Sequence, residues 1–519
     1  MRVETLDSTL RDGAQGEGVS FSVNDKINIV KILDKFGIDY IEAGNPGSNP
    51  KDLDFFKRVA EIKLNHSKLC AFGSTCRYGV KPEDDNNIKS ILSANTPVTV
   101  IFGKAWDMHV TEILKITLED NLFIIRETIS YLISKGKEVI FDAEHFFDGY
   151  KINPKYAVSV LQAAVFGGVK TLVLCDTNGA TLPGDIYTIT KNIKKKFPDK
   201  KIGIHCHNDI GCAVADTMLA VDAGAEHVQG TFIGIGERCG NADLSVLIAN
   251  LKLKCGYDCN GRVDMLFNIS RAVAEITNTQ IENNHPYIGS SAFAHKGGMH
   301  IDGVLKLSSS FEHVDPTAVG NQRRLLMSEV SGRSTVLAKI QAMAPRLTKD
   351  SPETAEILAK LKELEHCGYH FEAADASFEL LVKKILGEFK SHFKLVLYKT
   401  MGEFPTPDGE MPASASIKVE VDGKEEMTAV MGNGPVNALD LALRKALAVF
   451  YPAIKDIQLT DYKVRVLEQN STTAARVRVL IETSDDKSSW TTIGVSNDII
   501  EASIMALIDS IEYKLDKNN

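Results

Sequence analysis

The chain has 519 residues and a mass of 56.8 kDa, too much for one compact core and enough for about three domains. Hydrophobic residues make up 44% and charged residues 24%, which excludes a disordered or fibrous protein. Lys and Arg number 59 against 68 Asp and Glu, a net charge of −9 with no basic block, so the chain is ill suited to hold nucleic acid or an anionic membrane.

The opening segment, Met1-Arg-Val-Glu-Thr-Leu-Asp7, carries charges where a secretory leader would be apolar, and the nine cysteines include no CxxC pair. Both features lead to the expectation of reduced thiols and a cytoplasmic location. The longest apolar stretch, Ala157–Val169, is interrupted by Gln162 and by Gly167-Gly168 and is shorter than a membrane span, so no membrane partner is expected.

Eight short β-branched runs follow one another: Val3–Ser8, Tyr40–Ala43, Leu69–Gly73, Val98–Phe102, Glu138–Asp142, Thr171–Cys175, Lys201–His205 and His227–Thr231. Between them lie amphipathic stretches such as Asn24–Phe36, Leu122–Ser134 and Asp209–Asp222. This alternation predicts an α/β fold, a closed (β/α)8 TIM barrel over residues 1–265, whose chemistry gathers where the strands end. No Gly-x-Gly-x-x-Gly turn or Gly-Lys-Ser/Thr loop follows any strand.

Polar residues stand at five of those strand ends. Arg11-Asp12 follow the first; an arginine there suits an anion and the carboxylate a metal, although a structural ion pair fits them equally when read alone. Asp142 and Glu144 follow the fifth, and Thr177 follows the sixth, each placed to contact a substrate or to cap a rim helix. After the seventh come His205-Cys-His207, whose period-two spacing turns both imidazoles to one side, within reach of one cation. The eighth leads into Gly230–Asp243, where Asn241 offers an amide oxygen; its Gly-x-Gly reads either as a phosphate loop or as a tight rim loop.

Residues 266–400 turn mainly helical and are expected to form linker subdomains, with helices at Ala338–Leu364 and Ala376–Phe389. A Pro/Gly-rich linker, Met401–Pro412, opens a third region, 401–519. There strands Ala415–Val421 and Thr428–Met431 and a helix Pro435–Phe450 are answered by strands Ala475–Glu482 and Trp490–Ile493 and a helix Asp498–Tyr513. Two ββα units of this kind predict a small α+β domain with a regulatory or associative role.

The segments Leu10-Arg-Asp-Gly13, His205-Cys-His207, Gly234-Ile-Gly-Glu-Arg-Cys-Gly-Asn241 and Ala294-His-Lys-Gly-Gly-Met-His-Ile-Asp-Gly303 resemble, in order, those of the acetyl-CoA-dependent 2-oxoacid synthases. That family comprises isopropylmalate, homocitrate and citramalate synthases, and the resemblance spans essentially the whole chain. Arg11–Ser22 and Phe141–Tyr150 look most like its branch that joins pyruvate to acetyl-CoA and water, giving citramalate and CoA, on a route to isoleucine. A synthase of the same family that takes a larger 2-oxoacid is the alternative, since a methylene or two is worth only ~1–3 kcal/mol per group. Outside the family, an oxoacid lyase or carboxyltransferase on the same barrel, and a non-catalytic amino-acid sensor, are the rivals.

The resemblance implies a divalent ion (Zn²⁺, Mn²⁺ or Mg²⁺) on Asp12, His205 and His207, with Asn241 as a fourth ligand. It implies that Arg11 stabilises charge on the oxoacid carbonyl, that Glu144 and Thr177 contact the oxoacid near Asp142, and that His300 assists enolisation of acetyl-CoA from a neighbouring subunit. A homodimer with isoleucine as feedback effector follows from the same likeness. One position departs from the family: eleven residues after His300 a tyrosine is usual, and here Phe311 stands there without a hydroxyl, so either the hydroxyl is dispensable or His313 or a water takes its place.

Overall fold

A computed structural model describes residues 1–47, 50–326, 337, 339–341, 343–402, 412–467, 475–485 and 488–517. It separates into two compact units, one made of Met1–Phe293 with Glu312–Arg323, the other of Ala294–Phe311 with Arg324–Asn519.

The first unit is the expected barrel. All eight strands form: β1 (Arg2–Asp7), β2 (Tyr40–Glu42), β3 (Lys68–Ser74), β4 (Val98–Lys104), β5 (Glu138–Glu144), β6 (Thr171–Asp176), β7 (Lys201–Cys206) and β8 (His227–Gly230). Each pairs in parallel with the next, and β1 closes the ring by pairing with both β2 and β8. The strands read as apolar runs because both of their faces are buried, one against the helices and one inside the ring. The interior holds Leu6, Tyr40, Cys70, Val98, Val100, Ile140, Val173 and Cys175, drawn from six of the eight strands into one packed cluster.

Local signals set the helix limits. Ser22 and Asp25 form a reciprocal cap at the start of helix Val23–Phe36, and Gly37, at φ 101°, ends it in the left-handed region. Thr117 and Asp120 do the same for Leu118–Ser134, which therefore begins a turn before its apolar period does. Asn208 delays the helix expected from Asp209: its Oδ1 accepts from Ala213 N, where helix Ala213–Asp222 begins.

In the second unit the single helix expected over Ala338–Leu364 is interrupted. Pro345 lacks the N–H a continuing helix needs, the chain turns, and a new helix runs from Pro352 to His366. The C-terminal repeat carries one strand more per unit than its sequence suggests. Lys394–Gly402, Ala413–Val421 and Lys424–Gly432 form one antiparallel sheet, followed by helix Pro435–Leu447. Gln458–Val466, Val477–Ser484 and Ser489–Ser496 form the other, followed by Ile499–Lys517. Ala415, Ile417 and Val419 alternate inward beneath Leu439 and Leu443, all buried. Most of the expected linker Met401–Pro412 lies outside the described residues. Among the described residues, no helix is long and apolar enough to cross a membrane.

One buried acid weakens the barrel's outer layer. Asp216, 1% exposed on helix Ala213–Asp222, has an Oδ1 with no hydrogen-bond partner among the described residues, and burial, then the charge of Asp176, pushes its carboxyl up to about 7. Because the folded state holds this proton more tightly than the unfolded chain, the group costs stability progressively as pH rises from its unfolded value near 4 through 7. Asp216→Asn should therefore stabilise the protein at pH 7.5, by roughly 1–3 kcal/mol, the cost of one poorly solvated buried polar group. Denaturant melts at pH 5 and 7.5 would show this, with a smaller gain at pH 5; equal stability of the two proteins at both values would contradict it.

Candidate active site

Side chains alternate along each strand, and the positions that point into the ring are those in register with the interior cluster. At the C-terminal ends these are Glu42 on β2, Asp142 and Glu144 on β5, His205 and His207 on and just after β7, and Gln229 on β8. The strand pattern thus brings acids, imidazoles and an amide to one mouth, where the turn after β1 adds Arg11 and Asp12.

Asp12, His205 and His207 converge as expected. Their ligand atoms all lie within 4.8 Å of one another, and all three residues are buried. His205 Nε2 is 3.4 Å from His207 Nε2 and 3.4 Å from Asp12 Oδ2, and His207 Nε2 is 3.9 Å from the same oxygen. Ligands about 2.1 Å from a common ion stand roughly 3.0–3.4 Å apart, so the spacing fits a cation with little adjustment. The donor set fits as well: among the described residues, Asp12 Oδ1 and Asn241 Oδ1 are buried without a hydrogen-bond partner. Burial opposes ionisation of Asp12, but Arg11 and His205 outweigh it and hold the carboxyl well below the usual carboxylate range. Burial, then the neighbouring His205, lowers His207 to about 4, which leaves a neutral imidazole able to ligate.

Asn241 sits opposite His207 in a single antiparallel bridge, with its Nδ2 donating to Ile235 O at 3.3 Å. The Gly-rich loop before it is a rim loop folded closely on itself. A Cβ on Gly236 would stand 2.2 Å from Asn241 Nδ2, and one on Gly240, at φ 83°, 1.9 Å from Gly234 O. Arg238 ties this loop to its neighbours, bonding Asp209 at 2.7 and 3.0 Å and Thr177 O at 2.8 Å.

Arg11 is held from three sides. Its Nε donates to Glu42 Oε2 at 2.6 Å, its Nη1 to Asp12 Oδ2 at 2.9 Å, and its guanidinium carbon lies 4.0 Å over the Phe72 ring. Glu42 is completely buried, and the reading of the sequence missed it. An acid ending a two-sided buried strand is its only signal. Gln229, equally buried, was missed too: its Oε1 lies 2.9 Å from His205 Nδ1, and its Nε2 donates to Asp142 Oδ1 at 3.0 Å. Asp142 is 4% exposed, and burial, then the charge of Glu42, raises it to about 7.

Glu144 is half-buried at the rim, its Oε2 2.5 Å from Lys104 Nζ. The Thr177 hydroxyl accepts from His145 N at 2.9 Å, where His145 takes the left-handed conformation at φ 56°. His300 belongs to the second unit, exposed on helix Gly298–Lys306 and stacked on Phe311 with centroids 4.2 Å apart. Gly303 makes room for that ring, since a Cβ there would meet Phe311 Cε2 at 2.5 Å. His313 is in the first unit, between Tyr287 and Phe293.

Three family profiles match the chain: HMGL-like over residues 2–273, homocitrate synthase post-HMGL domain-like over 287–368, and LeuA allosteric (dimerisation) domain over 372–515. The chain is 51% identical to the (R)-citramalate synthase of Aquifex aeolicus over 519 residues, covering 100% of this chain and 98% of that one. It is 48% identical to the (R)-citramalate synthase of Geobacter sulfurreducens, covering 99% and 98%. A probable 2-isopropylmalate synthase of Methanopyrus kandleri is more distant, 31% identical with 98% of each chain covered. A barrel matched by the HMGL-like profile, a C-terminal region matched by the LeuA domain and identity to the (R)-citramalate synthases across the whole of this sequence agree: the chain belongs to the (R)-citramalate synthase family.

Proposed function

We propose that the chain condenses pyruvate with acetyl-CoA and water to give citramalate and free CoA, an acyl transfer that turns the acetyl group into an alkyl substituent. The observation that carries this reading is the meeting of two imidazole Nε2 atoms and one carboxylate beside a clamped arginine, in a chain of this family. Asp12, His205 and His207, with Asn241 as fourth ligand, would hold a divalent ion, which would act as a Lewis acid toward the keto group of a chelated 2-oxoacid.

The chain's own groups supply the rest. Arg11 uses Nε and one Nη1 hydrogen for Glu42 and Asp12, which leaves Nη2 to face the negative charge that develops on the keto oxygen. Thr177 accepts from His145 N–H, so its own hydrogen is available for the oxoacid carboxylate. Glu144, neutralised in part by Lys104, belongs to the same pocket, with Asp142 buried beneath it. His300 assists removal of a proton from the acetyl methyl group, reached from a second copy in a homodimer; the Phe311 ring stacked on it brings no hydroxyl to that task. The acetyl carbon then bonds to the keto carbon, the keto oxygen takes a proton, and water breaks the thioester bond to release CoA as its thiol. Fixing both substrates side by side contributes roughly 7–11 kcal/mol of the barrier reduction.

Release of CoA, measured with pyruvate, 2-oxoisovalerate and 2-oxoglutarate in the presence of Mn²⁺, tests the assignment. Pyruvate should give the highest kcat/KM; preference for a larger oxoacid would overturn the substrate, and cleavage of oxoacid without acetyl-CoA would overturn the reaction.

The proposal extends to a cytoplasmic enzyme of isoleucine synthesis with isoleucine as feedback effector of the C-terminal region. A cavity of about 500 Å³ there is walled by Val436, Leu441, Leu459 and Tyr462 and holds the Asp440–Arg444 ion pair, 2.8 Å apart. Apolar walls with one acid and one base suit an aliphatic amino acid. Filling the cavity with Leu459→Trp should raise the isoleucine concentration for half-inhibition at least tenfold while kcat stays within about twofold. Unchanged inhibition would place the effector elsewhere.

A further inference from the structure

Two buried side chains stand behind His205 and are not among the proposed ligands. Gln229 lies on β8 with no exposure, and Asp142 lies on β5 beneath the rim. Their hydrogen bonds have a direction. An amide nitrogen can only donate, so Asp142 Oδ1 takes a hydrogen from Gln229 Nε2, 3.0 Å away. The amide is planar, and this bond therefore turns Gln229 Oε1 toward His205, whose Nδ1 must carry the hydrogen that meets it at 2.9 Å. A neutral imidazole protonated at Nδ1 keeps its lone pair on Nε2. That is the atom facing Asp12 Oδ2 and His207 Nε2.

Without the acid, the order is free to reverse. The Gln229 amide would turn over, present its NH₂ to Nδ1, and leave the hydrogen on Nε2, where a cation needs a lone pair. Burial gives the bonds weight, because a polar atom left unmatched away from solvent destabilises the fold. The second imidazole has no such support: His207 Nδ1 is buried without a hydrogen-bond partner among the described residues.

We propose that Asp142 and Gln229 are positioning residues that lock His205 in its Nδ1-protonated tautomer and so set the metal affinity of the site. Asp142 then acts through His205, not on the oxoacid. The inference rests on reading Asp12, His205 and His207 as ligands.

Full-length wild type, Asp142→Asn and Gln229→Leu would be compared by equilibrium dialysis against Mn²⁺. Both variants should bind Mn²⁺ about 10–100-fold more weakly. Saturating Mn²⁺ should return the pyruvate KM of Asp142→Asn to the wild-type value, as a residue without substrate contact requires. A folded Asp142→Asn with unchanged Mn²⁺ affinity, or a KM still raised at saturating Mn²⁺, would overturn the proposal. Nitrogen-15 histidine spectra of Zn²⁺-loaded wild type need no variant to fold: His205, assigned by its loss in His205→Gln, should show a hydrogen-bonded Nδ1–H with Nε2 on the metal. Coordination through Nδ1 would overturn the inference. A wild type that binds neither ion would instead remove the metal reading beneath it.

Discussion

Asp12→Asn should lower kcat/KM by about 10³-fold or more and abolish tight binding of a divalent ion, while the barrel stays folded. Asp12 would contribute the one anionic ligand of the triad, and its Oδ2 faces both imidazole nitrogens. An amide of the same size keeps the packing but removes the charge that draws a dication into a site 2–6% exposed. Lewis-acid activation is worth several kcal/mol, and each 1.4 kcal/mol is tenfold in rate. The same substitution leaves Arg11 with Glu42 alone, so the guanidinium keeps its bond at 2.6 Å and its place over Phe72. Circular dichroism and Mn²⁺ dialysis on one preparation separate the outcomes. A folded Asp12→Asn enzyme with near-normal turnover would remove the metal centre from the mechanism.

Arg11→Lys should reduce kcat by about 10²–10³-fold and change metal affinity by less than tenfold. Lysine preserves the charge, but it is a point charge on a flexible stem and cannot bond Glu42 and Asp12 at fixed angles while lying flat on an aromatic ring. What is lost is aim: a donor fixed toward the oxygen on which charge develops. The Glu42 carboxylate stays partly matched by the ammonium, which spares the fold the 3–5 kcal/mol that removing one partner of a buried pair costs. Steady-state kinetics with pyruvate at saturating Mn²⁺ would show a fall in kcat larger than any rise in KM. A lysine enzyme with wild-type kcat would mean that Arg11 serves the fold only.

The barrel was legible in the sequence because strands buried on both faces leave uninterrupted β-branched runs, and all eight lie within a residue or two of their expected ends. The third strand of each C-terminal sheet was not. Lys394–Gly402 and Gln458–Val466 each pair on one side only and carry an irregularity, between Leu395 and Leu397 and between Leu459 and Asp461. Such a bulge breaks the alternation by which a one-sided strand is recognised. Pro345 ended a helix whose apolar period ran on past it.

At the site, the imidazoles were legible from spacing, since His205 and His207 share a parity within one strand. Glu42 and Gln229 share that inward parity, but it becomes visible only when the registers of different strands are known. Gln229 has no motif of its own: an amide is significant here only because a histidine stands on one side and an acid on the other. Asp142, expected from its place at a strand end to meet substrate, lies one layer below Glu144 with its Oδ1 already engaged. Spacing along one strand reports which side chains share a face; depth within the barrel is set by its neighbours.

Crystals of the full-length protein soaked in Mn²⁺ and recorded at the manganese absorption edge address the central assignment directly. The expected result is a single strong anomalous peak within about 2.0–2.3 Å of Asp12 Oδ2, His205 Nε2 and His207 Nε2. A peak elsewhere in the barrel, with the two rings turned away from Asp12, would contradict it.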